Sequence, residues 1–181
     1  MLDFNTAPTQ RNIDPIPHGT IAPLQVTVRP GGYGDDGAFL KLSKDGRSQG
    51  LDLEFTVIDG EFAKRKFWVL FTLNGDTDGH QAAAKISGTK IRAMIESARG
   101  IKPDDMSPQA AEARRVKAYG DLDGLRFIGK IGLDRGRDGY EPKNSLIAAI
   151  TPDNKSWLPV AQISTPAAAA KPASFSKPAW A

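Results

Sequence analysis

Leu51-Asp52-Leu53-Glu54-Phe55-Thr56-Val57 alternates apolar and polar side chains at every step, and Phe67-Trp68-Val69-Leu70-Phe71-Thr72-Leu73 takes up the period again after a turn that begins at Asp59-Gly60. Successive side chains of a strand point to opposite faces, so a period of two marks a β-strand with one face on a core. Leu51, Leu53, Phe55 and Val57 are expected to face inward, and so are Phe67, Val69, Phe71 and Leu73. The second strand differs in one respect. Trp68 and Leu70 make its other face apolar too, so that face is either covered or used. Strand, turn and strand form a meander, which needs further strands to be stable.

Those strands can be read outward from the meander. Upstream, Leu24, Val26 and Val28 alternate with Gln25, Thr27 and Arg29, and Pro30-Gly31-Gly32 stops the run. Ala38 to Ser43 reads as a short strand between two turns. Downstream, the loop 74–79 leads into a helix that runs to about Arg99 and stops at Gly100. Ile91, Met94, Ile95 and Ala98 form its core stripe. Lys85, Arg92, Arg99 and Glu96 share another face, read as its wet side. Ser107-Pro108 looks like an N-cap and first residue of a second helix, with Gln109 to Tyr119 as its body and Gly120 as its end. Leu125 to Leu133 and Leu146 to Thr151 are two more strands, joined by a polar loop.

The order of elements suits a five-stranded OB barrel, which carries a helix between its third and fourth strands. The expected fold is therefore mainly β with α: an OB-like β-barrel of five or six strands, with one helix between strands three and four plus an inserted helix. Other small barrels and β-sandwiches stay open. Residues 1–17, with three prolines, read as an extended arm, and 18–163 as the domain. Residues 164–181, rich in Ala, Pro, Ser and Lys, lack core periodicity and are expected to be a disordered tail.

Composition narrows the function. The chain of 181 residues has no cysteine, which excludes disulfides and thiolate chemistry and fits a reducing cytoplasm. No apolar run reaches the roughly 20 residues of a membrane helix, and the N-terminus lacks the pattern of a secretory signal. The net charge of +3 is compatible with a polyanionic partner without requiring one. No phosphate-binding loop, nucleophile elbow or zinc-protease motif is present. Asp76-Thr77-Asp78-Gly79-His80 lacks the oxygen count and spacing of a calcium loop, and reads better as a helix start capped by Asp78, with glycines that bend the chain. The expectation is a non-catalytic protein with no cofactor and no metal.

Binding of single-stranded nucleic acid needs aromatic platforms and cations along the backbone path. Strand parity turns Trp68 outward, and in the same way Phe39, Lys41, Arg126 and Lys130. Lys64, Arg65 and Lys66 form a basic turn before the Trp68 strand. Arg135, Arg137 and Lys143 lie in the loop between the last two strands, a loop that OB folds use to grip ligand. Each has a plainer reading beside it. Trp68 could pack under the Ser107–Gly120 helix or the N-terminal arm. The 135–143 cations sit among Asp134, Asp138 and Glu141 and could form a solvated, balanced loop.

Gly50 to Gly60, Arg65-Lys66-Phe67-Trp68 and Phe71-Thr72-Leu73 resemble phage single-stranded-DNA-binding proteins long described only as of unknown function. His18-Gly19-Thr20, Phe127 to Gly132, Gly139-Tyr140 and Lys143-Asn144 are similar too, so the likeness runs over about residues 15–151. The resemblance implies an OB-like fold and single-stranded DNA binding in phage or prophage replication and recombination, in the cytoplasm of a bacterial host. RNA in place of DNA stays open. It also implies a recombinase or helicase as partner, for which the tail with Phe175 and Trp180 could be a docking peptide, and such binders often form homo-oligomers. Two features depart from the family: the Ser107–Gly120 helix looks inserted, and the tail, with Phe175 and Trp180, lacks an acidic, partner-recruiting tip. The alternative is a protein-interaction module, an adaptor or inhibitor that uses the same apolar face.

Overall fold

The structure, a computed structural model, describes residues 5–6, 14–35, 38–136 and 141–162. Six strands form one antiparallel sheet among these residues: β1 (Ile21–Arg29), β2 (Leu40–Leu42), β3 (Ser48–Val57), β4 (Lys66–Gly75), β5 (Arg126–Asp134) and β6 (Lys143–Ile150). Two helices, α1 (Asp78–Arg99) and α2 (Pro108–Ala113), lie between β4 and β5.

β3 organises the sheet. Its second half pairs with β1, from Leu24 opposite Val57 to Arg29 opposite Asp52. Its first half pairs with β2, and its other edge pairs with β4 along the whole strand. β5 bonds to β1, and β6 to β5. The long strands therefore run β4-β3-β1-β5-β6. β4 and β6 approach each other, but no ladder joins them among the described residues.

The alternation expected from the sequence governs burial. Leu51, Leu53, Phe55, Val57, Phe67 and Phe71 are buried, with Leu24 and Val26 of β1 and Phe127 and Ile131 of β5. Phe55 stands at the centre. It stacks on Phe67 at 5.1 Å between ring centroids and meets Phe127 edge-on at 6.1 Å, geometries that aromatic pairs favour. α1 covers this core with Met94 and Ile95, while Ile91 and Ala98 pack at its margin.

Several expectations need correction. The strand read over 38–43 shortens to Leu40–Leu42, because Ala38 adopts a left-handed φ of 55° that breaks the extended run. Lys143 opens β6 instead of lying in the loop. The arm is not wholly peripheral: Ile16 is buried in the core. Asn144 holds it there, since its side chain accepts from the Ile16 N–H at 2.9 Å and donates to the Ile16 carbonyl at 2.8 Å. The domain therefore starts before residue 18. The tail read over 164–181 lies outside the described residues.

The second helix is also shorter than expected. Ser107 caps it as anticipated, its Oγ accepting from the Ala110 N–H, but it ends at Ala113. The face of α1 read as wet explains why. Glu96 is only 3% exposed, and Arg92 and Arg114 both donate to its Oε1, at 2.8 and 2.7 Å. Arg114 also donates to the carbonyls of Lys102 and Asp105. Arg99 binds the carbonyls of Ala113 and Arg115. Two arginines of α1 and one of the insert thus dock residues 101–115 onto the helix. The turn Tyr119–Leu122 follows, with Leu122 buried in the core.

Removing one partner of a buried ion pair leaves a desolvated charge. Glu96→Ala is therefore expected to lower the unfolding free energy by about 3 kcal/mol, seen as a lower urea midpoint with an unchanged slope. Arg115→Ala breaks only an exposed pair with Glu112 and is expected to change stability by less than about 1 kcal/mol.

Candidate nucleic-acid interface

The face of the sheet turned away from the core is built by parity. On β3 it carries Asp52, Glu54 and Thr56, and directly across β4 lie Leu70, Trp68 and Lys66. On the other side, β1 places Arg29, Thr27 and Gln25 beside the same three residues. Trp68 is 50% exposed and Leu70 56%. The outward turn expected for Trp68 is what the strand produces, and α2 does not cover it, being docked on α1.

Four cations share this face of the sheet. Lys66 binds Glu54. Arg29 and Lys41 both reach Asp52 Oδ2, at 3.3 and 3.7 Å. Arg126, opposite Gln25 on β5, donates from Nε to Gln25 Oε1 at 3.0 Å. Arg29 had a clear signal in the sequence, as the outward residue after Val28, yet did not stand out there because its strand carries no exposed aromatic. Leu70 shared that parity signal with Trp68. Beside Leu70 is a shallow hollow of about 180 Å³, lined in part by Lys41, Leu42, Lys44, Gly50 and Thr72. It opens because Gly50 has no side chain: a Cβ there would stand 3.0 Å from both the Leu70 side chain and the Phe71 carbonyl oxygen. The ladder also shifts register at Gly50, as at a β-bulge.

The other candidates divide. Phe39, expected to point outward, instead packs half-buried against the core and against Gly120. It precedes β2 and follows the left-handed Ala38, so strand parity does not extend to it. Lys64 is exposed in the turn before β4, with a left-handed φ of 71°. Arg65 lies over the Phe62 ring at 5.8 Å and binds the Asp14 carbonyl, which ties it to the N-terminal segment. Lys130 shares outward parity with Arg126, but four residues separate them, about 13 Å along a strand. Ile128 between them is buried with Ile58 and Ile150, against which Trp157 packs partly buried. The segment after β6 covers that ground, held by Trp157 Nε1 donating to the Ser97 carbonyl at 2.9 Å. Arg135 follows the end of β5 remote from Arg126, and Lys143 stands opposite Asp134 at that same end, so the sheet does not bring them into the Trp68 row. Arg137 lies outside the described residues.

No group of three or more His, Cys, Asp or Glu side chains converges among the described residues. Asp76 instead binds Arg47 at 2.8 Å, with His80 3.5 Å away. Thr77, not Asp78, caps α1, accepting from the His80 N–H at 3.1 Å. Among the described residues no helix is long and apolar enough to cross a membrane.

Glu54 fixes the posture of the tryptophan. Its Oε2 accepts from Trp68 Nε1 at 3.0 Å while Lys66 binds Oε1. The Lys66 hydrogen bond first, and the Trp68 bond with it, hold this carboxyl below its usual range against the opposing effect of burial. A depressed carboxylate contributes stability that is present above its unfolded value and lost as pH falls through its folded value. Trp68 emission should accordingly hold steady down through the ordinary glutamate value of about 4.3 and change only at lower pH. In Glu54→Gln that acid step should vanish. A wild-type step at or above the ordinary value would contradict the pairing. No protein-family model matches this chain, and no curated protein matches it by sequence.

Proposed function

We propose that this chain binds single-stranded nucleic acid, with little regard to base sequence and without catalysis, on the outer face of β3 and β4. One observation carries this reading: an exposed tryptophan and leucine stand side by side on β4, on a face that also carries Arg29, Lys41, Lys66 and, farther across the sheet, Arg126. Every base has a π-face, so a stacking platform accepts any sequence, and the cations track the phosphates.

The topology supports an OB-like arrangement. Five long strands run β4-β3-β1-β5-β6, with α1 between the third and fourth of them in the chain and a seam where β4 and β6 approach. β3 and β4 are then the second and third barrel strands, whose face OB folds use for oligonucleotides. The connection between the first two barrel strands carries Lys41, in β2, and Lys44, and the loop between the last two begins with Arg135. These are the loops that flank an OB binding face. The strand-and-turn motifs similar to those of phage single-stranded-DNA-binding proteins favour DNA over RNA. They also favour a role in phage or prophage replication or recombination beside a recombinase or helicase, in the host cytoplasm.

A second reading has its own support. Trp68 and Leu70 are exposed large hydrophobics on the same face of β4, and such patches also mark protein interfaces. An adaptor or inhibitor would ignore DNA and survive loss of the cations, and a second copy of this chain could be its partner.

Fluorescence anisotropy with a labelled oligo-dT of about 30 nucleotides separates the two, since site sizes run to about 16 nucleotides per OB fold. Binding is expected to weaken with salt, with a logarithmic slope no steeper than about −3 if the four cations each meet one phosphate at about −0.7. Trp68→Ala is expected to cost about 1–3 kcal/mol. No binding by the wild type at low salt would overturn the proposal and favour the adaptor.

A further inference from the structure

The centre of this face is not simply basic. Asp52 and Glu54 occupy the middle strand, two residues apart on the same side, with side chains only 15% and 16% exposed. Glu54 lies between Thr27 and Trp68, and Asp52 between Arg29 and Leu70. Each carboxylate engages two donors from neighbouring strands: Asp52 meets Arg29 and Lys41, and Glu54 meets Lys66 and Trp68. The cations reach inward from the margins with their side chains about half exposed. Positive charge therefore lies at the margins, while the middle strand holds two carboxylates, flanked on β4 by two exposed apolar side chains.

We infer that Asp52 and Glu54 are specificity-determining residues that make this face prefer single strands to duplexes. The inference rests on the reading of the face as a single-strand site. A duplex hides its base faces and offers a flat sheet only its phosphates. Laid across β3 and β4, it brings those phosphates over Asp52 and Glu54 and covers Trp68 and Leu70 with charged, hydrated backbone that cannot stack. Like charges so placed oppose binding. A single strand can turn about its backbone bonds. It sets its phosphates against Lys66, Arg29 and Lys41 at the rim and its bases over Trp68 and Leu70. The carboxylates then meet bases, whose exocyclic amines are donors that carboxylates accept. The same two residues that keep the face closer to neutral also decide which part of the polymer may occupy its centre.

The test compares three proteins at one salt concentration: wild type, the isosteric double variant Asp52→Asn with Glu54→Gln, and Thr27→Glu. The last adds a third carboxylate at an exposed position of the same row. Affinities are measured for a mixed-sequence single strand of about 30 nucleotides and for its duplex, lengths that exceed one OB site. In the double variant, the ratio of duplex to single-strand affinity is expected to rise by about tenfold or more, because only the duplex must bring phosphates to the centre and only the single strand uses the Trp68 ring that Glu54 holds. Thr27→Glu is expected to weaken duplex binding further while leaving single-strand binding within about threefold, and it serves if the double variant does not fold by thermal melting. A ratio of single-strand to duplex affinity unchanged in both variants overturns the inference while the single-strand site stands. Failure of the wild type to bind the single strand overturns both.

Discussion

β3 is bonded along both of its edges, to β1 and β2 on one side and to β4 on the other. Its strict alternation therefore fixes two surfaces at once. Leu51, Leu53, Phe55 and Val57 are buried, and each brings its neighbour strands into register around the Phe55 cluster. A slip of one residue would turn all four into solvent and bury Asp52 and Glu54, so the core enforces the register with the full weight of its burial. The outer face inherits that precision. Trp68 stands opposite Glu54, and Leu70 opposite Asp52, because Phe55 must stand opposite Phe67.

Carboxylates meet contrasting fates in this chain. Glu96 is buried and satisfied by two arginines, and it works as a structural hub that fastens residues 101–115 to α1. Glu54 and Asp52 lie on an exposed sheet, where their ion pairs are partly screened and add little to stability. Their consequence is one of placement. They draw Lys66, Arg29 and Lys41 into fixed positions and hold the Trp68 indole by its N–H. Under the proposed function, a ring already oriented loses less freedom when a base lands on it, which is how preorganisation adds to affinity.

The sequence was most legible where a single local rule decides the outcome. Period-two alternation placed β1, β3 and β4 and the outward turn of Trp68. The core stripe of α1 and its stop at Gly100, whose φ is 66°, followed from helix periodicity and glycine's tolerance of the left-handed region. Legibility failed where distant segments settle the matter. Glu96 looked like a wet-side residue because its partner Arg114 lies eighteen residues away across a turn. Phe39 lost its outward parity to one left-handed residue, Ala38. Ile16 looked peripheral because the residue that secures it, Asn144, lies at the other end of the chain. On the candidate face, parity and local composition marked the aromatic and the basic turn but spread the cations too widely. Only the ladder shows that Lys130 is cut off by Ile128, and that Arg29 stands beside Asp52.

The central claim is that Trp68 is a base-stacking platform, and its own fluorescence reports on that most directly. With Trp157 and Trp180 replaced by phenylalanine, and folding confirmed by thermal melting, Trp68 is the one remaining tryptophan. Titration with oligo-dT is predicted to quench its emission to saturation, with a midpoint that moves to higher oligonucleotide concentration as salt is raised. Emission that stays unchanged while the oligonucleotide demonstrably binds would place the nucleic acid elsewhere on the molecule and contradict this account of the β3–β4 face.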